Sequence, residues 1–149
     1  MMAICTFNDM SRQDDIDYDQ QADKIRAENA VLLKGFRTWL EELGLKEKTV
    51  RKHLGNVSFY VDDYLLYDDI IRPQEGLSFV NGVFNWFFPR KAMWSSVTTT
   101  KETVAGLKKF YLYLAEIGLV EASEYQKFLA EVKSEMPEWL GHYRDLDAW

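Results

Sequence analysis

Two stretches of similar pattern decide the fold, LKEKTVRKHL at Leu45–Leu54 and TVAGLKKFYLYL at Thr103–Leu114. Each has threonine and lysine residues close to its start and carries apolar residues at intervals of three and four. That spacing places the apolar side chains on one face of an α-helix. The two stretches therefore predict two amphipathic helices whose apolar faces must be buried against other parts of the chain.

The remaining chain supplies these partners as further helices. Apolar residues recur at helical spacing in three other segments, which predict helices over about residues 20–43, 76–88 and 122–136. Gly44 should stop the first of these and Pro89 the second, because proline has no amide hydrogen to donate. Pro137 should break the last helix or start a final turn. No segment shows the sustained alternation of a strand, so we predict an all-α fold, a compact bundle of four to five helices.

Threonine residues mark the starts of the second and fourth helices. Thr49 is a candidate N-cap of the second, and Thr98–Thr100 should open the fourth, because their hydroxyls satisfy backbone amides at a helix start. Gly118 should close the fourth helix. The apolar residues expected to face inward include Phe79 in the third helix and Ile117 in the fourth.

The composition fits one packed domain with an acidic extension. A chain of 149 residues with 47% apolar and 15% aromatic residues can bury a sizeable core. Residues 1–19 differ, because five aspartates repel one another there and no apolar period is visible. They are expected to form an acidic, flexible tail, and residues 20–149 a single helical domain.

The cysteine content and the length of the apolar runs indicate the cellular compartment of the protein. No apolar run approaches the roughly 20 residues that span a bilayer, and no signal peptide is apparent. The single cysteine, Cys5, cannot form an internal disulfide. We therefore expect a protein of the reducing cytoplasm that has no membrane partner.

Charge is segregated along the chain. The net charge is −6, which argues against a general polyanion binder. Residues 24–61 nevertheless carry eight basic and four acidic groups, and residues 76–118 carry five and two. These two basic blocks contain the two opening stretches. Charge segregation of this kind indicates which partners a protein binds rather than which fold it adopts.

No catalytic set is visible. The chain has no glycine-rich phosphate loop and no paired cysteines, and His53 and His142 are too far apart for a local metal motif. We expect no enzyme activity, no metal and no cofactor. His53 lies at the edge of the apolar stripe of the second helix. It is either a boundary residue with one solvated nitrogen or a phosphate contact beside Lys52.

Basic side chains occupy one arc of each opening helix. These are Lys48, Arg51 and Lys52 on the second helix and Lys101, Lys108 and Lys109 on the fourth. If the helices lie side by side, the two arcs form one positive surface, and threonine hydroxyls at the helix starts would add phosphate ligands. The alternative is that these residues only cover the solvent side of two amphipathic helices.

The tryptophans are candidates for stacking on unpaired bases. Trp86 and Trp139 fit apolar helix faces and are expected in the core. Trp94, in a loop, and Trp149, at the C-terminus, are the better candidates for exposed contacts.

The order of these features is similar to a known family. The pattern comprises Trp39-Leu40, Gly44-Leu45, Lys48-Thr49, Arg51, Leu54, Val57 and Phe59, then Val104, Leu107-Lys108-Lys109-Phe110-Tyr111, Leu114 and Gly118-Leu119. Over about residues 30–120 it resembles the N-terminal core-binding domain of tyrosine recombinases, the phage integrase family. In that family the domain is a helical bundle that grips one side of duplex DNA.

The resemblance implies a double-stranded DNA interface made of two strips. They would be Lys48, Thr49, Arg51 and Lys52 in one, and Thr99, Thr100, Lys101 and Lys108 in the other. The chain departs from the family at Glu121–Glu124, where an Asn-Pro exit is usual. An acidic helix follows instead of a catalytic domain. The family's catalytic arginines, lysine, histidines and tyrosine have no counterpart, so strand cleavage is not expected.

Three functions are compatible with these features. The leading hypothesis is a non-catalytic, recombinase-like domain that binds double-stranded DNA, as a regulator, a truncated integrase relic or a mobile-element accessory factor. The second is a protein-interaction module on the same fold, which binds a partner or a second copy through acidic tails or exposed aromatic residues. The third is a small-molecule enzyme with a site between helices. Salt-sensitive DNA binding, an apolar contact patch and a deep polar pocket would distinguish them.

Overall fold

The described chain is built of helices. The computed structural model describes the backbone of residues 2–147 and the side chains of residues 17–143. The elements are α1 (Met2–Glu42), α2 (Glu47–Ser58), a first π-helical segment (Phe59–Tyr64), a 3-10 helix (Pro73–Phe79), α3 (Val80–Gly82), a second π-helical segment (Val83–Phe87), α4 (Phe88–Lys91), α5 (Val97–Glu116) and α6 (Ala122–Asp147). No strand occurs within residues 2–147, and the predicted all-α bundle is confirmed.

α1 begins much earlier than predicted. Its backbone is helical from Met2, so a helix replaces most of the stretch predicted as an acidic tail. Long-range contacts hold α1 from Tyr18 onward. The Tyr18 hydroxyl donates to the backbone carbonyl of Leu66, and Ile25 is buried against the Leu66 side chain. Contacts between residues this far apart leave no local signal in the sequence, and tertiary packing provides most of the stability of a helix.

The start of α2 differs from the prediction by a few residues. Its N-cap is Lys46, so the predicted capping role of Thr49 is wrong, and Thr49 lies in the first turn. Beyond α2 the helix widens into the first π-helical segment, where the amide of Leu65 donates to the carbonyl of Tyr60 at 3.0 Å. A π turn spans one residue more than an α turn. The residues that follow it are therefore rotated relative to a regular helix.

The third predicted helix is irregular. The structure replaces one continuous helix with 3-10, α and π turns in succession. Pro89 does not end this segment: it lies in the first turn of α4, and the helix continues to Lys91. Phe79 is exposed, contrary to the prediction. It ends the 3-10 helix, whose three residues per turn bring its side chain off the apolar face.

α5 begins and ends at strong local signals. Ser96 is its N-cap: the Ser96 hydroxyl accepts from the amide of Thr99, and the Thr99 hydroxyl accepts from the amide of Ser96. Among Thr98–Thr100, only Thr99 takes part in this capping box. Gly118 ends the helix with a φ of 83°. Ile117, at the C-cap, is exposed rather than buried as predicted.

α6 continues through Pro137, so the predicted break there is wrong. The helix is held on the far side of the proline by Trp139, which is fully buried. The indole N–H of Trp139 donates to the Asn81 side chain at 2.8 Å. Its ring also lies 4.9 Å from that of Phe84, between centroids.

α5 lies at the centre of the core. Its Phe110 packs edge-on against Phe36 of α1, and its Tyr111 packs against Phe128 of α6. The Tyr111 hydroxyl donates to the carbonyl of Pro73 at 2.9 Å, which ties the 3-10 helix to the same centre. The outer side of α5 and the neighbouring α2 remain accessible to solvent.

Candidate nucleic-acid interface

α2 and α5 pack directly against each other at Gly106. A Cβ atom placed on Gly106 would lie 3.3 Å from Nδ1 of His53 and 3.6 Å from Cγ2 of Val57. The absence of a side chain allows this close approach of the two backbones. Residues that flank the contact on each helix are therefore neighbours at the surface.

Lys52 and Glu102 connect the two helices at that surface. The Lys52 ammonium donates to the Glu102 carboxylate at 2.9 Å across the α2–α5 contact. The two side chains are 45% and 34% exposed, so water screens the pair. Its contribution to stability is therefore only about 0–1 kcal/mol.

The charged members of the predicted α2 strip are at the surface. Lys48, Arg51 and Lys52 are exposed, whereas Thr49 is half-buried. The Arg51 guanidinium lies 3.8 Å from the carboxylate of Glu47, one turn earlier. The cations of this strip are therefore accessible to a polyanion.

The lysines of α5 are divided between its two edges. Lys101 and Lys108 are exposed and lie two turns apart on the same side of the helix. Tyr125 of α6 donates to the carbonyl of Lys108 at 3.3 Å, so this side lies towards α6. Lys109 lies on the α2 side, close enough to lower the pKa of His53. Lys109 is absent from the strips that the resemblance implies, yet it lies nearest to the α2 strip.

The hydroxyls of Thr99 and Thr100 already make hydrogen bonds within the protein. The Thr99 hydroxyl completes the N-cap with Ser96 and lies 3.1 Å from the carbonyl of Trp94. Thr100 is fully buried, and its hydroxyl donates to that of Tyr143 at 3.2 Å. Neither hydroxyl is free to bind a phosphate.

His53 is buried at the α2–α5 contact. It is 7% exposed, and among the described side chains its Nδ1 has no hydrogen-bond partner. Burial lowers the pKa of the imidazole, and the charges of Lys109 and Lys52 lower it further, against the opposite effect of Glu102. This environment favours the neutral imidazole, in a packing role rather than as a charged phosphate ligand.

α1 contributes two cations that the sequence pattern does not indicate. Arg37 pairs with Glu47 of α2 and, at 3.0 Å, with Glu41 of its own helix. Lys34 and Arg37 also line the open groove between α1 and α2. Their proximity to the α2 strip depends on the turn that joins the two helices, and no periodicity along the chain would reveal it.

The tryptophans are distributed differently from the prediction. Trp139 is buried as predicted, but Trp86 is 49% exposed and lies outside the core. Trp86 belongs to the second π-helical segment, where Phe84 and Phe87 point inward instead. Trp94 is exposed, as expected of a loop residue. Trp149 lies outside the described residues.

Two kinds of site are not found in the part of the chain that the structure describes. No group of three or more His, Cys, Asp or Glu side chains there could hold a metal ion. None of the helices described combines the length and the apolar character that crossing a membrane requires.

Comparison with known proteins adds no family assignment. No protein-family model, curated protein or solved structure matches the chain. The likeness to the recombinase core-binding domain therefore rests on the residues of α1, α2 and α5 that carry its pattern.

Proposed function

We propose that this protein is a non-catalytic domain that binds double-stranded DNA through a basic face. The basic face is formed by Lys48, Arg51 and Lys52 of α2, by Lys109 on the α2 edge of α5, and by Lys101 and Lys108 on the α6 edge of α5. The observation that carries the proposal is the packing of α2 on α5 at Gly106, with Lys52 and Glu102 in contact across it. This packing brings Lys52 of α2 and Lys109 of α5 close enough to His53 that both charges lower its pKa.

The charge of the basic face suits a phosphate backbone. Its six cations outnumber the two carboxylates among them, those of Glu47 and Glu102. Each lysine or arginine that neutralises a phosphate releases condensed counterions, and this release supplies most of the non-specific affinity for DNA. The overall charge of −6 opposes long-range attraction. We therefore expect binding of moderate strength that is confined to low salt.

Glu102 competes with phosphate for Lys52. The pair is exposed on both sides, so replacing the carboxylate with a phosphate oxygen exchanges one screened ionic contact for another. The ammonium is already positioned at the surface by this contact. A duplex that docks on α2 and α5 would displace Glu102 without disturbing the core.

The basic face is suited to the DNA backbone rather than to base edges. All six of its cations are lysine or arginine, and phosphate contacts of this type fix the position of a protein without reading sequence. We therefore expect little discrimination between duplex sequences. The resemblance to a recombinase core-binding domain, whose helical bundle grips one side of the duplex, supports the same surface.

The test is fluorescence anisotropy of a labelled duplex at about 50 and 200 mM salt. Lys52→Glu and Lys109→Glu are compared with Lys133→Glu, which makes the same charge change at an exposed lysine of α6. We expect salt-sensitive binding that is lost in the first two variants and retained in the third. Absence of binding at the lower salt, or equal loss in all three variants, would overturn the proposed interface.

A further inference from the structure

A second surface, which shares no residue with the basic face, has the chemistry of a binding site. It is a groove of about 240 Å³ between the end of the first π-helical segment, the turn that follows it, and the second π-helical segment. The rings of Tyr64, Tyr67, Phe79, Trp86 and Phe87 line it, and we name it the aromatic groove. None of its lining residues belongs to α2 or α5.

The rings of the aromatic groove are exposed but held in place from below. Tyr67, Phe79 and Trp86 are 52%, 41% and 49% exposed. Phe87 is buried beneath them and meets Tyr64 and Tyr67 edge-on, with centroids 5.0 and 5.2 Å apart. Large exposed aromatic side chains on a firm base are typical of the anchor positions of protein interfaces.

Both π-helical segments contribute to the groove. Tyr64 ends the first segment, and Trp86 and Phe87 lie in the second. π turns are rare and occur frequently at functional sites, because they turn particular side chains out of the regular helical pattern. The two π-helical segments therefore meet at the aromatic groove, and this observation is independent of the exposure of the rings.

The charged groups of the aromatic groove are all acidic. Asp68 and Asp69 are in its lining, and no lysine or arginine is. Neither carboxylate has a basic partner within 4 Å among the side chains of residues 17–143. Asp69 accepts from the amide of its neighbour Ile70, at 2.8 Å.

Rings and carboxylates together select a cation. The faces of aromatic rings attract ammonium and guanidinium groups, and free carboxylates reinforce that attraction. Trp86 already has two cations of its own chain near its ring, Arg90 at 5.8 Å and Lys91 at 6.0 Å from the centroid, although neither lines the groove. The volume is below the roughly 300–1,000 Å³ of pockets that enclose whole small-molecule ligands, and it suits one long side chain.

We infer that the aromatic groove binds a single arginine or lysine side chain presented by a partner protein. The alkyl stem packs on Tyr67 and Phe79, and the charged head lies between Trp86 and the carboxylates of Asp68 and Asp69. This interaction is independent of DNA binding, because the groove and the basic face share no residue. A variant that abolishes one function should leave the other unchanged.

The test is ¹⁵N NMR of the whole chain with four peptides, Ac-Ala-Ala-Xaa-Ala-Ala-NH₂, in which Xaa is Arg, Lys, Gln or Glu. The signal to follow is the indole N–H of Trp86, assigned by the variant Trp86→Phe. We expect saturable shifts of this signal with the Arg and Lys peptides and none with the other two. Equal shifts with the Gln peptide, or larger shifts with the Glu peptide, would overturn the assignment of a cationic ligand.

A matched pair of variants tests the carboxylates. Asp68→Asn combined with Asp69→Asn should weaken binding of the Arg peptide by up to about tenfold. Glu121→Gln combined with Glu124→Gln removes the same charge from exposed positions outside the groove and should leave the affinity unchanged. Equal weakening in both double variants would show that only net charge attracts the peptide, and would reject the groove as its site.

Discussion

Gly106 of α5 lies against His53 of α2 so closely that an added Cβ would be 3.3 Å from the imidazole Nδ1. No other glycine of α2 or α5 has this role, because the remaining one, Gly55, has no atom within 4 Å of an added Cβ. The distance between the two helices, and therefore the width of the basic face, depends on this contact.

Gly106→Leu should separate α2 from α5. Overpacking of a tight contact typically costs about 1–3 kcal/mol, and we expect a loss of stability in that range by urea denaturation. Gly55→Leu is the matched control on the facing helix. It should be neutral or stabilising by up to about 1 kcal/mol, since leucine is the better helix former. Equal destabilisation by both variants would contradict the close contact.

Glu102→Gln should strengthen DNA binding. The substitution frees Lys52 from its carboxylate partner and removes one negative charge from the basic face. We expect a gain in affinity of a few-fold at low salt, corresponding to a screened surface pair of about 0–1 kcal/mol. Anisotropy with the labelled duplex measures it. Glu121→Gln, at an exposed position before α6, is the charge-matched control and should change little.

His53 should make stability depend on pH near neutrality. Its pKa is lowered in the folded protein from an ordinary value of 6.5, so the unfolded chain binds its proton more readily. Stability should therefore be highest above about pH 6.5 and fall as the pH drops below that value. Urea midpoints between about pH 5.5 and 7.5 measure this slope. His53→Gln should flatten the slope, and an unchanged slope would assign the effect to another group.

Ser96→Ala should weaken the start of α5. The Ser96 hydroxyl accepts from the Thr99 amide at 3.1 Å, and loss of such an N-cap costs about 1 kcal/mol. Thermal or urea unfolding measures the change. Thr98→Ala is the control, because Thr98 lies in the same turn and is exposed. It should change stability by less than half as much, and comparable losses would contradict the capping geometry.

Local patterns predict the helices but not their irregular parts. The period of apolar residues in Leu45–Leu54 and Thr103–Leu114 is a local property, so α2 and α5 are visible in the sequence. The contact of Tyr18 with Leu66, which holds α1 at the end of the predicted tail, is not contained in local patterns. The continuation of α6 through Pro137 likewise depends on the burial of Trp139.

The candidate interface likewise contains residues that local spacing predicts and residues whose position depends on tertiary packing. Lys48, Arg51 and Lys52 are recognisable as a solvent-facing arc from helical spacing alone. The burial of Thr100 and the position of Lys109 beside His53 depend on which face of α5 meets α2, and amphipathic spacing leaves that choice open. Local spacing does not predict the aromatic groove at all, because the exposed Trp86 follows the same apolar spacing as a core residue.

The two π-helical segments make the chain unusually sensitive to changes in its length. Each contains a turn with one residue more than an α turn, so deletion of a residue from Phe59–Tyr64 would restore regular α spacing. The side chains that follow the deletion in the same helix would then rotate by about 100° about the helix axis. Tyr64 would lose its position over Phe87. Related sequences should therefore vary in residue type through this region while keeping its residue count, with insertions and deletions placed elsewhere.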